Sequence, residues 1–273
     1  MAAKMGIILA GGGGNGAYQA GAWKALSELG IANQINYFSG TSIGALNAIL
    51  FATSDADTVE RIWLEADTGD VFHKPVKKLL PKIGTLAKGI AKNHNKFQIA
   101  ASLVHETIHQ GIFSRGGVLK LIEKYVNFNT LQSMSRKVYA TCTKIGAPHK
   151  AVRFLLNDFD SEKVKTILLA SSAVPGAYKM ETIGNEKYFD GAITDNIPIQ
   201  PVIDDGCDTV IVISLDKNKS IDIQKFPGVS ILCISPKKKP GRFFNFKNAA
   251  SKIEDGYKDA MESFIVEGNI FAV

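Results

Sequence analysis

A serine framed by two glycines is the first feature of this sequence that could carry chemistry. Ser42 lies in Gly40-Thr41-Ser42-Ile43-Gly44, a G-x-S-x-G pattern that follows a short apolar stretch and opens an apolar helix. In a strand-turn-helix of this kind the glycines permit a tight reversal that exposes the hydroxyl, and the helix N-terminus favours negative charge. The pattern indicates a nucleophilic serine. A glycine-rich turn whose serine merely caps the helix is the alternative.

A second glycine-rich turn lies about one β-α unit earlier. Its residues are Gly11, Gly12, Gly13, Gly14, Asn15 and Gly16, between an apolar stretch and a helical pattern. Successive N–H groups at a helix N-terminus bind either an oxyanion or the pyrophosphate of a nucleotide. A dinucleotide site also needs an acidic residue about 20 positions on, at the end of the second strand. That strand ends in Phe38-Ser39-Gly40 without a nearby carboxylate, so an oxyanion is the better interpretation.

A serine nucleophile needs a base, and histidine is the usual one. The histidines of this chain are His73, His94, His105, His109 and His149. In the α/β-hydrolase order of Ser, Asp and His, the histidine comes last. Because no histidine follows residue 149, the sequence argues against a triad of that type.

An aspartate is the better candidate for the base. Asp190 lies in Tyr188-Phe189-Asp190-Gly191-Ala192, where a strand pattern ends and a glycine allows a sharp turn. We expect Asp190 at the C-terminal end of a parallel strand, the edge at which such sheets place their sites. The alternative is an ordinary turn aspartate. Weaker candidates for the base are Asp195, Asp204 and Asp205.

The elements that must position these residues follow from the spacing of apolar side chains. Strands are predicted at 4–10, 37–39, 137–143, 153–156, 187–190, 209–215 and 229–234. Helices are predicted at 14–30, 43–53, 55–65, 115–125, 161–173 and 249–265, with Asp55 and Ser161 as caps. Since strands and helices alternate, we expect an α/β fold with three α/β/α layers and a mainly parallel central sheet. One domain over 1–273 is expected, with an irregular basic insert at about 72–110.

Composition narrows the class of protein. The chain has 273 residues, 45% of them hydrophobic, with 32 Lys and Arg against 26 Asp and Glu. The resulting charge of +6 is mild, and no nucleic-acid partner is expected. Cys142, Cys207 and Cys233 are odd in number and widely spaced, which is typical of buried thiols in a reducing compartment. No apolar run is long enough for a membrane span or a secretory leader, so we expect a cytoplasmic protein.

Two basic segments favour peripheral contact with a membrane. Residues 74–92 place apolar side chains at helical spacing with lysines mostly elsewhere, and residues 237–247 mix cations with aromatic side chains. Both compositions suit an anionic lipid surface. The alternative for each is an apolar face packed on the core with solvated lysines. Either segment could also cover the Ser42 site as a lid.

Four blocks of the sequence together resemble the patatin-like phospholipase family. They are residues 11–18 with the helix to 29, residues 40–48, residues 170–178, and Asp190-Gly191-Ala192 with Asn196 and Pro198. Order and spacing agree from residue 5 to about 215. The resemblance implies a Ser-Asp dyad that needs no histidine, cofactor or metal. Ser42 would attack an ester carbonyl, Asp190 would accept its proton, and the glycine loop at 11–16 would hold the oxyanion.

The resemblance therefore implies a lipid acyl hydrolase, a phospholipase A or lysophospholipase-type esterase acting on phospholipid or lysophospholipid. Direct proton transfer from serine to a carboxylate requires an aspartate whose pKa is raised by partial desolvation. Asn15 stands where family members usually carry Arg or Lys, so the loop itself lacks that charge. Two alternatives stay open: a catalytically weak lipid-binding or regulatory protein on the same scaffold, and an acyltransferase.

Overall fold

The strands join in one mixed sheet. The structure, a computed structural model, describes residues 4–66, 116–218, 221–238, 241–243 and 245–267. Within these ranges the strands are β1 (Met5–Leu9), β2 (Ile35–Thr41), β3 (Lys137–Lys144), β4 (Lys150–Leu155), β5 (Glu181–Ile183), β6 (Glu186–Asp190), β7 (Thr209–Ile213) and β8 (Ser230–Ile234). Their order is β5-β6-β3-β2-β1-β7-β8, with β4 also paired to β3.

The sheet is mostly parallel. The strands from β3 through β2, β1 and β7 to β8 run parallel to their neighbours. The pairs β3/β4, β3/β6 and β5/β6 are antiparallel. The α/β class and the mainly parallel sheet predicted from the sequence are confirmed.

Helices cover both faces of the sheet. They are α1 (Gly16–Glu28), α2 (Ile43–Thr53), α3 (Ala56–Glu65), α4 (Gly116–Tyr125), α5 (Phe128–Ser133), α6 (Ser161–Ser171), α7 (Gln200–Asp204) and α8 (Ala249–Glu267). In the described part of the chain, no helix combines the length and apolar character needed to cross a bilayer. The basic insert predicted at 72–110 lies outside the described residues.

One of the two predicted helix caps was wrong. Asp55 caps α3 as expected, because its side chain accepts the N–H of Thr58 at 2.7 Å. At the start of α6 the cap is Asp160, whose side chain accepts the N–H of Lys163 at 2.8 Å, and Ser161 is the first helical residue. The sequence offers two adjacent capping residues there, and the aspartate takes the position.

The core is divided by the sheet into a large and a small part. On β1, Ile7 and Leu9 point into the large cluster, which packs against α1, α2 and α6. Ile8 points to the opposite face and joins a smaller cluster with Val202 of α7 and Val210 of β7. This alternation follows from the two-residue period of a strand. The side chains of Ile7, Ile8 and Leu9 are all fully buried, which explains the continuous apolar run in the sequence.

The three cysteines are free thiols. Cys142 and Cys207 are buried, as predicted, whereas Cys233 is only partly buried. Burial raises the pKa of the Cys207 thiol to about 12. Burial, and then the nearby charge of Asp190, raise the pKa of Cys142 well above its ordinary value. Cys142 is thus kept as a neutral thiol.

Helices α1 and α8 pack at backbone distance through two glycines. A Cβ atom added to Gly21 would lie 1.9 Å from the carbonyl oxygen of Ile253, and one added to Gly256 would lie 2.0 Å from that of Tyr18. Neither carbonyl can withdraw without moving its helix. The close contact fixes the start of α8 against the start of α1.

Gly21→Ala is therefore expected to destabilise the protein by about 1–3 kcal/mol. In a helix without this contact, the same change would stabilise by up to about 1 kcal/mol. The free energy of unfolding in urea measures the effect. Gly146→Ala, in the exposed β3–β4 turn, is the comparison variant: its added Cβ would meet one atom, the Pro148 carbonyl oxygen at 3.2 Å, so we expect a smaller loss, below about 1 kcal/mol. A gain in stability at position 21 would contradict the packing described.

Candidate active site

Strands β2 and β6 meet end to end beside β3. β2 pairs with β3 as far as Thr41, which lies opposite Thr141. β6 runs in the opposite direction along the same side of β3, because β4 occupies the other side, and it ends with Asp190 opposite Cys142, the next residue. Ser42 directly follows Thr41. The pairing register therefore brings Ser42 and Asp190 together.

The prediction that Asp190 ends a parallel strand was wrong. β6 is antiparallel to β3 and pairs with it at only three positions, at the C-terminal end of β3. Asp190 nevertheless lies at the edge of the sheet where β2 ends, because β6 ends next to the turn that contains Ser42. Asp190 lies beside Ser42 as expected, but the strand that places it there runs in the opposite direction to the one predicted.

The side chains of Ser42 and Asp190 are in direct contact. The Ser42 hydroxyl donates a hydrogen bond to Oδ2 of Asp190 at 2.8 Å. The other carboxylate oxygen, Oδ1, accepts the N–H of Ala192 at 2.9 Å, within the turn Gly191–Ile193. Thr143 donates its hydroxyl to the main-chain carbonyl of Asp190 at 2.9 Å. Ser42 is 5% exposed and Asp190 3%, so the carboxylate is held in place with one oxygen directed at the hydroxyl.

The backbone at Ser42 is strained in the way a nucleophile turn requires. Ser42 has φ 57° and ψ −124°, a conformation that non-glycine residues rarely adopt. A Cβ atom on Gly40 would lie 2.2 Å from the carbonyl oxygen of Gly44, and one on Gly44 would lie 2.0 Å from that of Leu9. Both flanking positions of G-x-S-x-G thus need glycine because backbone approaches them.

Ser42 does not cap α2 with its side chain. Its N–H donates to the Ser171 hydroxyl at 2.8 Å, and that hydroxyl donates to the carbonyl of Thr141 at 2.7 Å. Ser171 therefore connects the turn to α6 and β3. The interpretation of Ser42 as a helix-capping serine is not supported by this geometry.

The glycine-rich loop leaves two N–H groups available. The N–H of Gly11 donates to Oδ1 of Asn196 at 3.1 Å, and that of Gly14 donates to the carbonyl of Phe243 at 2.7 Å. For Gly12 and Gly13, no acceptor of the N–H is found among the described residues. Gly13 also lines the same pocket as Ser42. Within the described part of the chain, these two N–H groups are therefore the ones in the loop that remain free to bind an anion.

A buried amide network holds the loop against the serine turn. Asn47 of α2 donates to the carbonyl of Gly16 at 3.0 Å and to Oε1 of Gln19 at 2.8 Å. Its own Oδ1 accepts the indole N–H of Trp63 at 3.0 Å. Gln19 in turn donates to the carbonyl of Ala10 at 2.8 Å. Because every link is buried and hydrogen-bonded, the two glycine-rich turns are fixed relative to each other.

An apolar pocket opens beside Ser42. Its void has a volume of about 60 Å³, and its lining is almost entirely apolar. The lining residues are Gly13, Ser42, Ile43, Leu46, Val118, Leu121, Ile122, Leu168, Ser172, Val174, Tyr178, Phe243 and Phe246. Such a lining suits a hydrocarbon chain better than a sugar or a nucleotide.

The other candidate aspartates have different partners. Asp195 forms an ion pair with Arg153 at 2.7 Å. Asp204 accepts a hydrogen bond from Gln200 of α7, and Asp205 forms an ion pair with Lys137 at 2.5 Å. The structure therefore brings Asp190 alone of the four candidate aspartates into contact with Ser42.

His149 is the one histidine in the described ranges. It is exposed in the turn between β3 and β4, where its Nδ1 accepts the N–H of Gly146 at 3.2 Å. The other four histidines lie outside the described residues. Within the described ranges, no three His, Cys, Asp or Glu side chains cluster closely enough to hold a metal ion.

Sequence reasoning assigned no role to several residues that hold the site. Thr143 is an ordinary residue in its strand pattern, so no local signal distinguishes it. Ser171 lies in the block 170–178 that carries the family resemblance, but no contact or role of its own was predicted for it. Phe243 was noted only for its basic and aromatic neighbours. Lys252 contacts the glycine loop from 238 positions away, a distance that no spacing rule spans.

The fold and the site together define an α/β protein with a serine on a strained strand-turn-helix and a buried aspartate against it. The sequence model of the patatin-like phospholipases matches residues 7–203. The chain thus belongs to the patatin-like phospholipase family, as the sequence blocks predicted.

Solved structures of low sequence identity share the fold. VipD from Legionella pneumophila is 13% identical with a TM-score of 0.52, over 97% of this chain and 67% of that one. Full-length ExoU of Pseudomonas aeruginosa, in complex with SpcU, is 17% identical with a TM-score of 0.50, over 99% and 53%. Human GIVD cytosolic phospholipase A2 is 8% identical with a TM-score of 0.52, over 98% and 59%.

This chain thus spans from about half to two thirds of the length of these three proteins. No curated protein matches it significantly in sequence. Membership of a phospholipase family supports a lipid hydrolase activity.

Proposed function

We propose that this protein is a serine-dependent lipid acyl hydrolase in which Ser42 and Asp190 form a catalytic dyad. The observation that carries the proposal is the 2.8 Å hydrogen bond from the Ser42 hydroxyl to Oδ2 of Asp190 in a buried site. A carboxylate at this distance can accept the serine proton directly, with no imidazole between them.

The reaction follows in two steps. Ser42 Oγ attacks the ester carbonyl carbon while its proton passes to Asp190, and the N–H groups of Gly12 and Gly13 stabilise the oxyanion. The intermediate collapses to an acyl-enzyme as Asp190 returns the proton to the leaving alcohol. Water then attacks the acyl carbon and gives a proton to Asp190. Collapse of this second intermediate releases the fatty acid, and the proton returns to Ser42.

The pocket supports phospholipid or lysophospholipid as the substrate. Its apolar lining next to Ser42 fits an acyl chain, and the polar lipid head would remain outside. We propose that the protein meets such lipids by peripheral contact with a membrane. Phe243, 38% exposed at the pocket, and the neighbouring cations Arg242 and Lys247 support this proposal. Co-sedimentation with anionic vesicles would test it.

We also propose that the chain acts as one patatin-like domain. The family match ends at residue 203, but β7 pairs with β1 and α8 packs on α1. The segment beyond the match therefore belongs to the same sheet and core.

Release of fatty acid from phosphatidylcholine vesicles by the wild type, with lysophospholipid as co-product, is the direct test of the proposed function. The same assay with added glycerol separates hydrolysis from acyl transfer, since a transferase would form acylglycerol instead of free fatty acid. Vesicle binding without any product would overturn the proposal and favour a lipid-binding protein.

Narrowing the pocket should change the preferred acyl length. Leu121→Trp places a larger side chain in the apolar lining, so we expect kcat/KM for p-nitrophenyl palmitate to fall at least about tenfold. The value for p-nitrophenyl acetate should be nearly unchanged. Leu64→Trp is the matched control, because Leu64 is 53% exposed on α3. Equal losses on both esters at position 121 would show that the pocket does not hold the chain.

A further inference from the structure

The C-terminal part of the chain holds Gly14 of the glycine-rich loop from both sides. The carbonyl of Phe243 accepts the Gly14 N–H at 2.7 Å. The ammonium of Lys252 donates to the Gly14 carbonyl at 2.8 Å and to the carbonyl of Asn245 at 2.5 Å. The two polar main-chain groups of Gly14 are therefore both fixed by residues that lie beyond the family match at 7–203.

Lys252 is poorly placed for stability alone. It lies in the first turn of α8, where the helix N-terminus is already positive. It is half-buried, and burial lowers the pKa of its ammonium. Among the described residues, no carboxylate lies within ion-pair distance of it. A half-buried cation whose contacts are main-chain carbonyls and not a carboxylate contributes little to stability, so its contacts with the loop need another explanation.

Three sources of positive potential lie close to Gly14. The Gly14 carbonyl lies next to the start of α1 at Gly16, and Lys252 lies near the start of α8. The close packing at Gly21 and Gly256 holds these two helices together. Lys252 thus brings an ammonium and the start of α8 next to Gly14, the residue that follows the Gly12 and Gly13 donors in the loop. Fixed positive potential of this kind stabilises a developing oxyanion.

We propose that Lys252 is a positioning residue for the reaction. It holds Gly14 so that the Gly12 and Gly13 N–H groups keep their place, and it adds a positive charge close to the loop. This inference rests on the proposed function.

Three substitutions separate the charge from the hydrogen bonds. Lys252→Gln keeps N–H donors without the charge, Lys252→Met removes both, and Lys252→Arg keeps both. With p-nitrophenyl butyrate, we expect kcat to fall about tenfold or more in the Gln and Met variants, with KM nearly unchanged. The Arg variant should retain most of the activity. Lys258→Met, an exposed lysine paired with Glu254 on the same helix, is the matched control and should behave as wild type.

The pH profile reports the charge. Because burial lowers the pKa of Lys252, its charged form is lost at a lower pH than that of an ordinary lysine. Wild-type kcat should therefore decline at alkaline pH as Lys252 loses its proton. In the Arg variant this alkaline decline should move to higher pH, and in the Met variant it should be absent. The titratable or charged groups that line the adjoining cavity with Lys252 are Tyr18, Lys238, Asp255 and Asp259. Lys238→Met should therefore keep the alkaline decline.

Hydrogen exchange tests the positioning without relying on activity. In Lys252→Met we expect the peptide covering residues 11–16 to exchange at least tenfold faster, with the rest of the protein unchanged. A variant that had merely lost stability would exchange faster throughout.

Unchanged kcat and unchanged exchange in Lys252→Met would overturn the inference, and an unchanged alkaline decline would overturn its charge component. If the wild type neither hydrolyses esters nor reacts with a fluorophosphonate, the proposed function fails. The exchange result then still decides whether Lys252 positions the loop.

Discussion

Ser42→Ala is expected to lower kcat for ester hydrolysis by more than about 10⁴-fold, because it removes the oxygen atom that forms the acyl-enzyme in the proposed mechanism. The assay is release of p-nitrophenol from p-nitrophenyl butyrate, with fatty acid release from vesicles as the second substrate. KM should change little, since the apolar pocket is intact. The melting temperature should show that the variant is folded.

The matched control is Ser172→Ala. Ser172 lines the same pocket, but its hydroxyl donates to the carbonyl of Leu168 at 2.9 Å within its own helix end. We expect its activity to stay within a few-fold of the wild type. Turnover retained by Ser42→Ala would show that another group performs the attack, and the proposed mechanism would then be wrong.

Asp190→Asn should lower kcat by about 10²–10⁴-fold, the usual contribution of a general base. Asparagine has nearly the same shape, and its amide oxygen can still accept the N–H of Ala192. Its amide nitrogen cannot accept the proton of Ser42. The loss should therefore appear in kcat rather than in KM or folding, measured by steady-state kinetics and thermal unfolding.

Asp195→Asn is the control for the aspartate. Asp195 is only five residues from Asp190 in the sequence, but its carboxylate is paired with Arg153. We therefore expect Asp195→Asn to change kcat by less than about threefold. If Asp190→Asn retained more than a tenth of wild-type kcat while Ser42→Ala was inactive, the serine would have another base.

Much of the fold was predictable because its signals are local. The buried strand β1, the apolar helix α2 and the glycine turns all show in short windows of sequence, and α2 has the predicted bounds. Short elements were missed, among them β5, which has only three residues. A segment that short carries no periodicity to detect.

Candidate residues for the site could be named from the sequence, but the geometry that brings them together could not. Ser42 and Asp190 each lie in a local turn pattern that marks the residue as a candidate, but neither pattern shows that the two are in contact. The predicted direction of β6 was wrong because strand pairing is decided by contacts far apart in sequence. The residue pattern of a single strand is the same whether it pairs parallel or antiparallel. The same limit explains why Lys252 was overlooked, since nothing near it in the sequence indicates a contact with Gly14.

Activation of the Ser42 hydroxyl by Asp190 is the step on which the proposed mechanism depends. Labelling with a fluorophosphonate probe, followed by mass spectrometry of the digested protein, tests it most directly. We expect one adduct, on Ser42, that forms at least a hundredfold more slowly in Asp190→Asn. An adduct on another residue, no adduct at all, or equal labelling rates in the wild type and Asp190→Asn would contradict it.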